Sequence, residues 1–314
     1  MSALPVQTRG LVKRYGELVA VDGVDLVVEP GDVYGYLGPN GAGKTTSLRM
    51  LLGLIRPTAG SAKLFGRNPL VEGAEALDGV AGFVEGPRFY PYLSGRRNLM
   101  LLADYDEPPS RGRIEEVLEL VELRDRAKDR VGGYSHGMRQ RLGIAAALLR
   151  SPRLLLLDEP TTGLDPAGMR DMRNLVRRLA AEQITIMLSS HLLYEVEDLC
   201  NRVAIIRKGR IVYQGALGEL MAATTTSYLL RAAEPERART VCLNHAGIEN
   251  VAVTDGAVRF TADEDAVAAL SIALGQARIG ITQLTPERES LEELFLGMTG
   301  GESSDHDRAE VAAS

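Results

Sequence analysis

The chain has 314 residues, a formal net charge of -6, and 45% hydrophobic against 25% charged residues. That length suits a main domain with a smaller appendage, and the balance is that of an ordinary globular protein with no global basic field to draw it to nucleic acid. Its two cysteines, Cys200 and Cys242, stand far apart and outside any metal-ligand spacing, which argues against a disulfide scaffold or zinc site and suits a reducing cytoplasm.

The opening MSALPVQTRG lacks the apolar core of a signal peptide. No apolar run approaches the roughly 20 residues that span a bilayer, so any membrane part is expected in another chain. The first thirty residues read as short β segments, with Gln7–Val12 and Val24–Glu29 carrying the pattern. Val33–Leu37 is an apolar run that ends in a glycine-rich loop. Over Thr46–Ile55 the period becomes helical, with Leu48, Leu51, Leu52 and Ile55 at i, i+3, i+4, i+7. Further strands are expected at Val80–Val84, Leu154–Leu157 and Ile184–Leu188, with helices at Ile114–Leu123, Arg139–Leu149 and Gly168–Ala181. Leu154–Leu157 is continuously apolar, as a strand buried on both faces would be. The alternation implies an α/β domain with a mainly parallel sheet covered by helices. Val203–Arg207 and Arg210–Tyr213 flank Lys208-Gly209 as a closing hairpin.

The texture changes after about residue 220. Ser227–Arg231 reads as a strand and Glu236–His245 as a helix. Val251–Thr254 and Ala257–Thr261 flank the turn Asp255-Gly256. Asp265–Ala277 is helical, Ile281–Leu284 a strand, and Leu291–Gly297 a short helix. The order βαββαβ suits a small α+β, ferredoxin-like domain. The expected division is 1–220 for the main domain, 221–299 for the accessory domain, and a polar, disordered tail over 300–314.

Gly38-Pro39-Asn40-Gly41-Ala42-Gly43-Lys44-Thr45 fits the pattern G-x-x-x-x-G-K-T/S between a strand and a helix. Glycines let the backbone bend so that successive N–H groups point at phosphate oxygens. The helix that begins near Lys44 and Thr46 adds its positive end. Lys44 is expected to reach the β/γ-phosphates of a nucleotide and the Thr45 hydroxyl to ligate Mg²⁺. A glycine turn that matches by chance would lack the strand before it and the helix after it. Downstream, Leu154–Leu157 ends in Asp158-Glu159-Pro160. Acids at the carboxyl end of a buried strand sit where α/β sheets bind ligands. Asp158 can hold Mg²⁺, and Glu159 can orient or deprotonate the attacking water. Alone, two such acids would be an ordinary solvated loop; behind a phosphate loop they form a set.

From about Val6 to Gly215 the ordered motifs resemble the ATP-binding-cassette family. Lys13-Arg14-Tyr15-Gly16 places Tyr15 where the family stacks an aromatic ring on adenine. Tyr134-Ser135-His136-Gly137-Met138-Arg139-Gln140-Arg141 resembles its signature, Gly163-Leu164-Asp165 the loop joining the nucleotide sites of a dimer, and Ser189-Ser190-His191 the switch histidine at the γ-phosphate. The resemblance implies a P-loop NTPase cassette with an antiparallel β subdomain and a helical subdomain beside the parallel sheet. It also implies a head-to-tail pair in which Ser135 and Gly137 meet the ATP of a second copy. Taken alone, Ser135 would be a plain helix cap.

Three positions depart from the family pattern: His136 stands where Gly is usual, Met138 where Gln is common, and Glu85 where most members carry a Gln that helps place Mg²⁺ and water. A carboxylate there would alter the field of the metal. Glu85-Gly86-Pro87-Arg88-Phe89-Tyr90-Pro91 and the closing Leu291-Glu292-Glu293-Leu294-Phe295-Leu296 resemble a bacterial exporter branch related to bacitracin and drug-resistance cassettes. The implied protein is the ATPase subunit of an exporter of a drug, antibiotic or lipid-like compound, at the inner face of the cell membrane, driving a separate permease. Two alternatives stand beside it. A soluble cassette acting on ribosomes or nucleic acid generally carries two cassettes or long coiled-coil insertions, whereas this chain has one phosphate loop. A weakly hydrolysing regulatory module is suggested only by Glu85 and His136.

Overall fold

The computed structural model describes residues 3–106, 111–222 and 227–287, together with Leu291, Leu294 and Phe295. The tail expected over 300–314 lies outside the described residues, as does most of the short helix expected at Leu291–Gly297. The chain divides into two compact units, Met1–Leu217 and Gly218–Ser314.

The first unit opens with β1 (Val6–Tyr15), β2 (Leu18–Val24) and β3 (Val27–Val28), then β4 (Val33–Leu37) and helix α1 (Lys44–Leu51). β5 (Ala59–Leu64) returns to pair with β1, so β1, β2, β3 and β5 form an antiparallel layer. A short α2 (Pro69–Glu72) leads to β6 (Val80–Phe83). Three helices follow, α3 (Gly95–Ala103), α4 (Ile114–Leu120) and α5 (His136–Leu148), and then β7 (Leu154–Asp158). The unit closes with α6 (Pro166–Ala181), β8 (Thr185–Ser190), α7 (Leu193–Leu199) and the hairpin β9 (Arg202–Arg207) and β10 (Arg210–Ala216). α8 (Leu217–Ala222) follows.

The six-stranded sheet has the order β10-β9-β4-β8-β7-β6. All pairs are parallel except the β9–β10 hairpin. Its central strands are apolar because both faces are covered: β4, β7 and β8 are buried along their whole length. The order explains how distant motifs meet. Leu37 at the end of β4 lies opposite Ser190 of β8, and Asp158 of β7 lies opposite Ser189. Everything that leaves the carboxyl edge of β4, β7 and β8 therefore converges there.

Several helices are started by side chains that accept main-chain N–H groups, among them α3, α5 and α6 of the first unit. Ser94 accepts from Arg97 at 3.2 Å, Ser135 from Met138 at 3.2 Å and Asp165 from Gly168 at 3.1 Å. Asp165 is reinforced by Pro166 in the first turn. The cap at Ser135 starts α5 at His136, three residues before the expected Arg139. Helix α3 escapes the sequence periodicity because Met100, Leu101 and Leu102 are all partly exposed.

The second unit runs β11 (Ser227–Ala232), α9 (Pro235–Leu243), β12 (Glu249–Thr254), β13 (Ala257–Thr261), α10 (Glu264–Gln276) and β14 (Ile281–Glu287). Its sheet is antiparallel in the order β12-β13-β11-β14. Asp255 and Gly256 both have positive φ, as a tight two-residue hairpin requires. Tyr228, Leu230, Cys242, Phe260, Leu270 and Leu274 fill its core, where Tyr228 and Phe260 stack at 5.7 Å. Burial pushes the Cys242 thiol up to about 11 and raises Cys200 as well, so both stay protonated and inert. Among the described residues no helix is long and apolar enough to cross a membrane.

Candidate active site

The loop 38–43 leaves β4 and enters α1 through Gly43, whose φ of 108° is in the left-handed region. No side chain caps that helix, so its first N–H groups are open to an anionic ligand. Gly43 is also fixed by space, since a Cβ there would press into the Ala20 carbonyl of β2. Gly41, with φ of 79°, faces open space.

Lys44 is nearly sealed, with 4% of its side chain exposed. Its ammonium donates to the carbonyls of Gly38 at 2.7 Å and Pro39 at 3.2 Å and lies 3.3 Å from Glu159 Oε1. Burial lowers its pKa, and the Glu159 charge opposes that shift. Glu159 is held from the other side as well. Its Oε2 is 3.2 Å from His191 Nδ1 and accepts from the Thr162 hydroxyl at 3.0 Å. The His191 contact, aided by Lys44 and Thr162, brings the Glu159 carboxyl down to about 2 despite partial burial. The same contact raises the pKa of His191.

Asp158 is buried beside it. Its Oδ1 accepts from the Ser189 hydroxyl at 2.6 Å, and Ser189 Oγ in turn accepts from the Glu159 main chain at 3.0 Å. Oδ2 faces the main-chain N–H of Glu85 at 3.4 Å. The structure thus brings Lys44, Asp158, Glu159 and His191 to one edge, with the Glu85 loop beside them. The Glu85 side chain itself is exposed and pairs with Arg49 of α1.

Sequence comparison carries the geometry further. The profile of the family described as ABC transporter matches residues 21–162. The bacitracin transport ATP-binding protein of Bacillus licheniformis is 40% identical over 298 residues, covering 94% of this chain and 97% of that one. The chain belongs to the ATP-binding proteins of ABC transporters. It is a transport ATPase that binds ATP. The daunorubicin/doxorubicin resistance ATP-binding protein of Streptomyces peucetius is 36% identical over 318 residues, covering 98% of this chain and 96% of that one. Among solved structures, a dimeric ATP-binding cassette in a post-hydrolysis state with ADP and phosphate shares the fold. Its TM-score is 0.60 at 24% identity, covering 68% of this chain and 98% of that one.

The remaining expected residues of this ATPase lie on other surfaces. Tyr15 ends β1 with 46% of its surface exposed and Lys13 Nζ 4.9 Å from its ring centre. Ser135 and Gly137 head α5 and make no hydrogen bond to the phosphate loop among the described residues. Asp165 caps α6. Thr45 and Thr46 occupy the first turn of α1, partly buried.

Several working residues escaped sequence reasoning. Ser189 bridges Asp158 to the Glu159 backbone. Ser190 donates to Glu195 Oε2 at 2.9 Å and accepts the Leu192 N–H at 2.9 Å, tying the turn around His191 to a carboxylate that is 1% exposed. Ser47, beneath the loop, meets the Tyr36 hydroxyl at 3.1 Å. The signal available was two hydroxyls at the end of a buried strand, with no indication of what they face.

Proposed function

We propose that this ATPase binds the phosphates of ATP with loop residues 38–46 and hydrolyses the γ-phosphate bond with Glu159. The observation that supports this best is the meeting of sealed Lys44, Glu159 and His191 at the uncapped start of α1. A lysine that bonds two carbonyls and a carboxylate is a cation ready to exchange partners for phosphate. Mg²⁺ fits the donor set. Asp158 and the Thr45 hydroxyl offer few protein oxygens, as an ion that keeps waters and phosphate ligands requires. Bound there, the metal would neutralise charge on the β- and γ-oxygens.

Glu159, once Lys44 and His191 turn to the phosphates, accepts the proton of the attacking water. Glu85 would help hold the metal through its loop, whose N–H faces Asp158, and through its carboxylate were Arg49 to release it. Tyr15 offers a ring face to adenine.

The active form in this reading is a pair of cassettes, as in the dimer that shares this fold, with Ser135, Gly137 and Asp165 facing the partner's nucleotide. The permease is a separate chain. A groove beside the Glu85 loop, with Phe83, Pro87, Phe89, Leu102 and Tyr105 along it and Arg88, Asp106 and Arg150 among its lining, suits an amphipathic helix from it. The relatives' names, bacitracin transport and daunorubicin/doxorubicin resistance, support transport of a drug or antibiotic. The proposed direction is export of such a compound, or a lipid-like one, from the inner face of the membrane. A soluble cassette working on ribosomes is not favoured, because full-length relatives are transport and resistance proteins. The strand order of the second unit supports a ferredoxin-like accessory domain over 221–299.

The test is Glu159→Gln. It should retain ATP binding, lose roughly 10²-fold or more in turnover, and form an ATP-dependent dimer that Ser135→Arg abolishes. Normal turnover in Glu159→Gln removes the assignment.

A further inference from the structure

Glu159 has φ of 46°, a left-handed conformation that a non-glycine residue keeps only where its surroundings hold it. Three hydrogen bonds act locally: its N–H to Ser189 Oγ at 3.0 Å, the Thr162 N–H to its carbonyl at 3.2 Å, and the Thr162 hydroxyl to its Oε2 at 3.0 Å. Two of the three run through Thr162. What holds Thr162 therefore helps set where the carboxylate points, alongside the Lys44 and His191 contacts.

Thr162 is exposed in a short turn, and its carbonyl is met by His136 Nε2 at 3.1 Å. A carbonyl only accepts, so Nε2 carries the proton. The imidazole also lies along Gly163, where a Cβ would come within 3.5 Å of the ring. One residue further on, a Cβ on Gly137 would lie 3.6 Å from Leu164, which is itself buried. The head of α5 thus seats the segment 162–164, through a polar contact at His136 and an apolar one beside Gly137.

We propose that His136 is a positioning residue for Glu159, acting through the carbonyl and hydroxyl of Thr162. The residue that breaks the usual signature pattern then has a task. It ties the end of α5 that would face a second copy's nucleotide to the chain's own base. A glycine at 136 would leave the Thr162 carbonyl to water and the turn less firmly held. The bond does not depend on the charge of the ring, because Nε2 stays a donor whether or not Nδ1 is protonated. This inference rests on the reading of Glu159 as the base.

The experiment measures steady-state ATP turnover of the full-length chain with Mg²⁺ for His136→Ala, His136→Gln, Thr162→Val, Thr162→Ser and the double variant His136→Ala/Thr162→Val. Glu159→Gln is the reference. Loss of one hydrogen bond in the chain should lower kcat about 5- to 10-fold in His136→Ala and in Thr162→Val. KM for ATP should stay within about twofold, since the phosphate loop is untouched. His136→Gln and Thr162→Ser, which keep a donor, should recover most of the rate. The double variant should be little worse than either single one, because both act on the same carboxylate.

Unchanged kcat in His136→Ala, equal loss in the Ala and Gln variants, or fully additive losses would overturn the proposal. Should His136→Ala fail to fold, the Gln variant and the Thr162 pair decide by the same criteria. An inactive Glu159→Gln beside a normal His136→Ala defeats this inference alone, whereas an active Glu159→Gln defeats the reading beneath it.

Discussion

The proposed base, Glu159, is held by Lys44, His191 and Thr162. Glu159 is brought from the usual 4.5 to about 2, with the His191 contact as the largest cause. At face value that is about 3 kcal/mol, since one pKa unit is about 1.4 kcal/mol. The two side chains are 23% and 30% exposed, so solvent screening leaves about 1–2 kcal/mol. A carboxylate so stabilised is a poor proton acceptor, so on the proposed mechanism it would act only once these contacts are exchanged.

The perturbation is Glu159→Gln, read by NMR titration of the histidine rings. The chain has only four histidines, so His191 can be assigned by a single variant. In the wild type its midpoint should lie above the ordinary value. In Glu159→Gln it should fall, because burial and the Lys44 charge then prevail over the weaker pull of Glu195. The linkage fixes two windows of pH. The depressed Glu159 contributes stability in full above about 4.5, lost as pH falls through about 2; the raised His191 contributes below about 6.5, lost as pH rises through its folded value. The pair therefore stabilises most between those limits. The gap in thermal midpoint between wild type and His191→Ala should be widest near pH 5–6 and shrink towards pH 9. An unchanged His191 midpoint in Glu159→Gln, or a gap that keeps growing above about pH 6, would refute the reasoning.

Lys44→Ala should weaken ATP binding about 10- to 100-fold by removing a charged hydrogen-bond partner worth about 1.5–3 kcal/mol, measured by calorimetric titration. Gly43→Ala should destabilise the first unit by about 1–3 kcal/mol and abolish binding, while Gly41→Ala, equally left-handed but facing open space, should cost less; thermal melts with and without ATP compare them. Glu85→Gln breaks only an exposed pair with Arg49, so stability should change by less than about 1 kcal/mol and ATP affinity hardly at all. Glu85→Ala should lower turnover in the assembled transporter, and full cargo-stimulated activity there would reduce Glu85 to a surface acid.

The parts of the fold legible in the sequence were those where one local cause dominates. β4 and β7 are continuous apolar runs because both faces are covered, and the Asp255-Gly256 turn follows from backbone sterics alone. β5, whose sequence is Ala59-Gly60-Ser61-Ala62-Lys63-Leu64, has too few apolar residues to announce itself. It is a strand because β1 lies beside it. α7 is short and acidic, and its place is set by packing on β4: Val196 and Cys200 fill the space that Gly35 leaves without a side chain.

The site divides along the same line. Loop residues 38–45 and the acids Asp158 and Glu159 could be read because glycine, lysine and carboxylate have few other reasons to stand in that order. The electrostatic state of the site could not. It depends on β8 lying between β4 and β7, an order set by the whole sheet, which places His191 and Lys44 on opposite oxygens of Glu159 although 147 residues separate them in sequence. Glu85 makes the same point in reverse. Its position in the sequence suggests a metal ligand, yet α1 turns Arg49 towards it and claims the carboxylate. Residue type and spacing name the groups that can do chemistry, while the partner each group holds at rest follows from strand order and helix face.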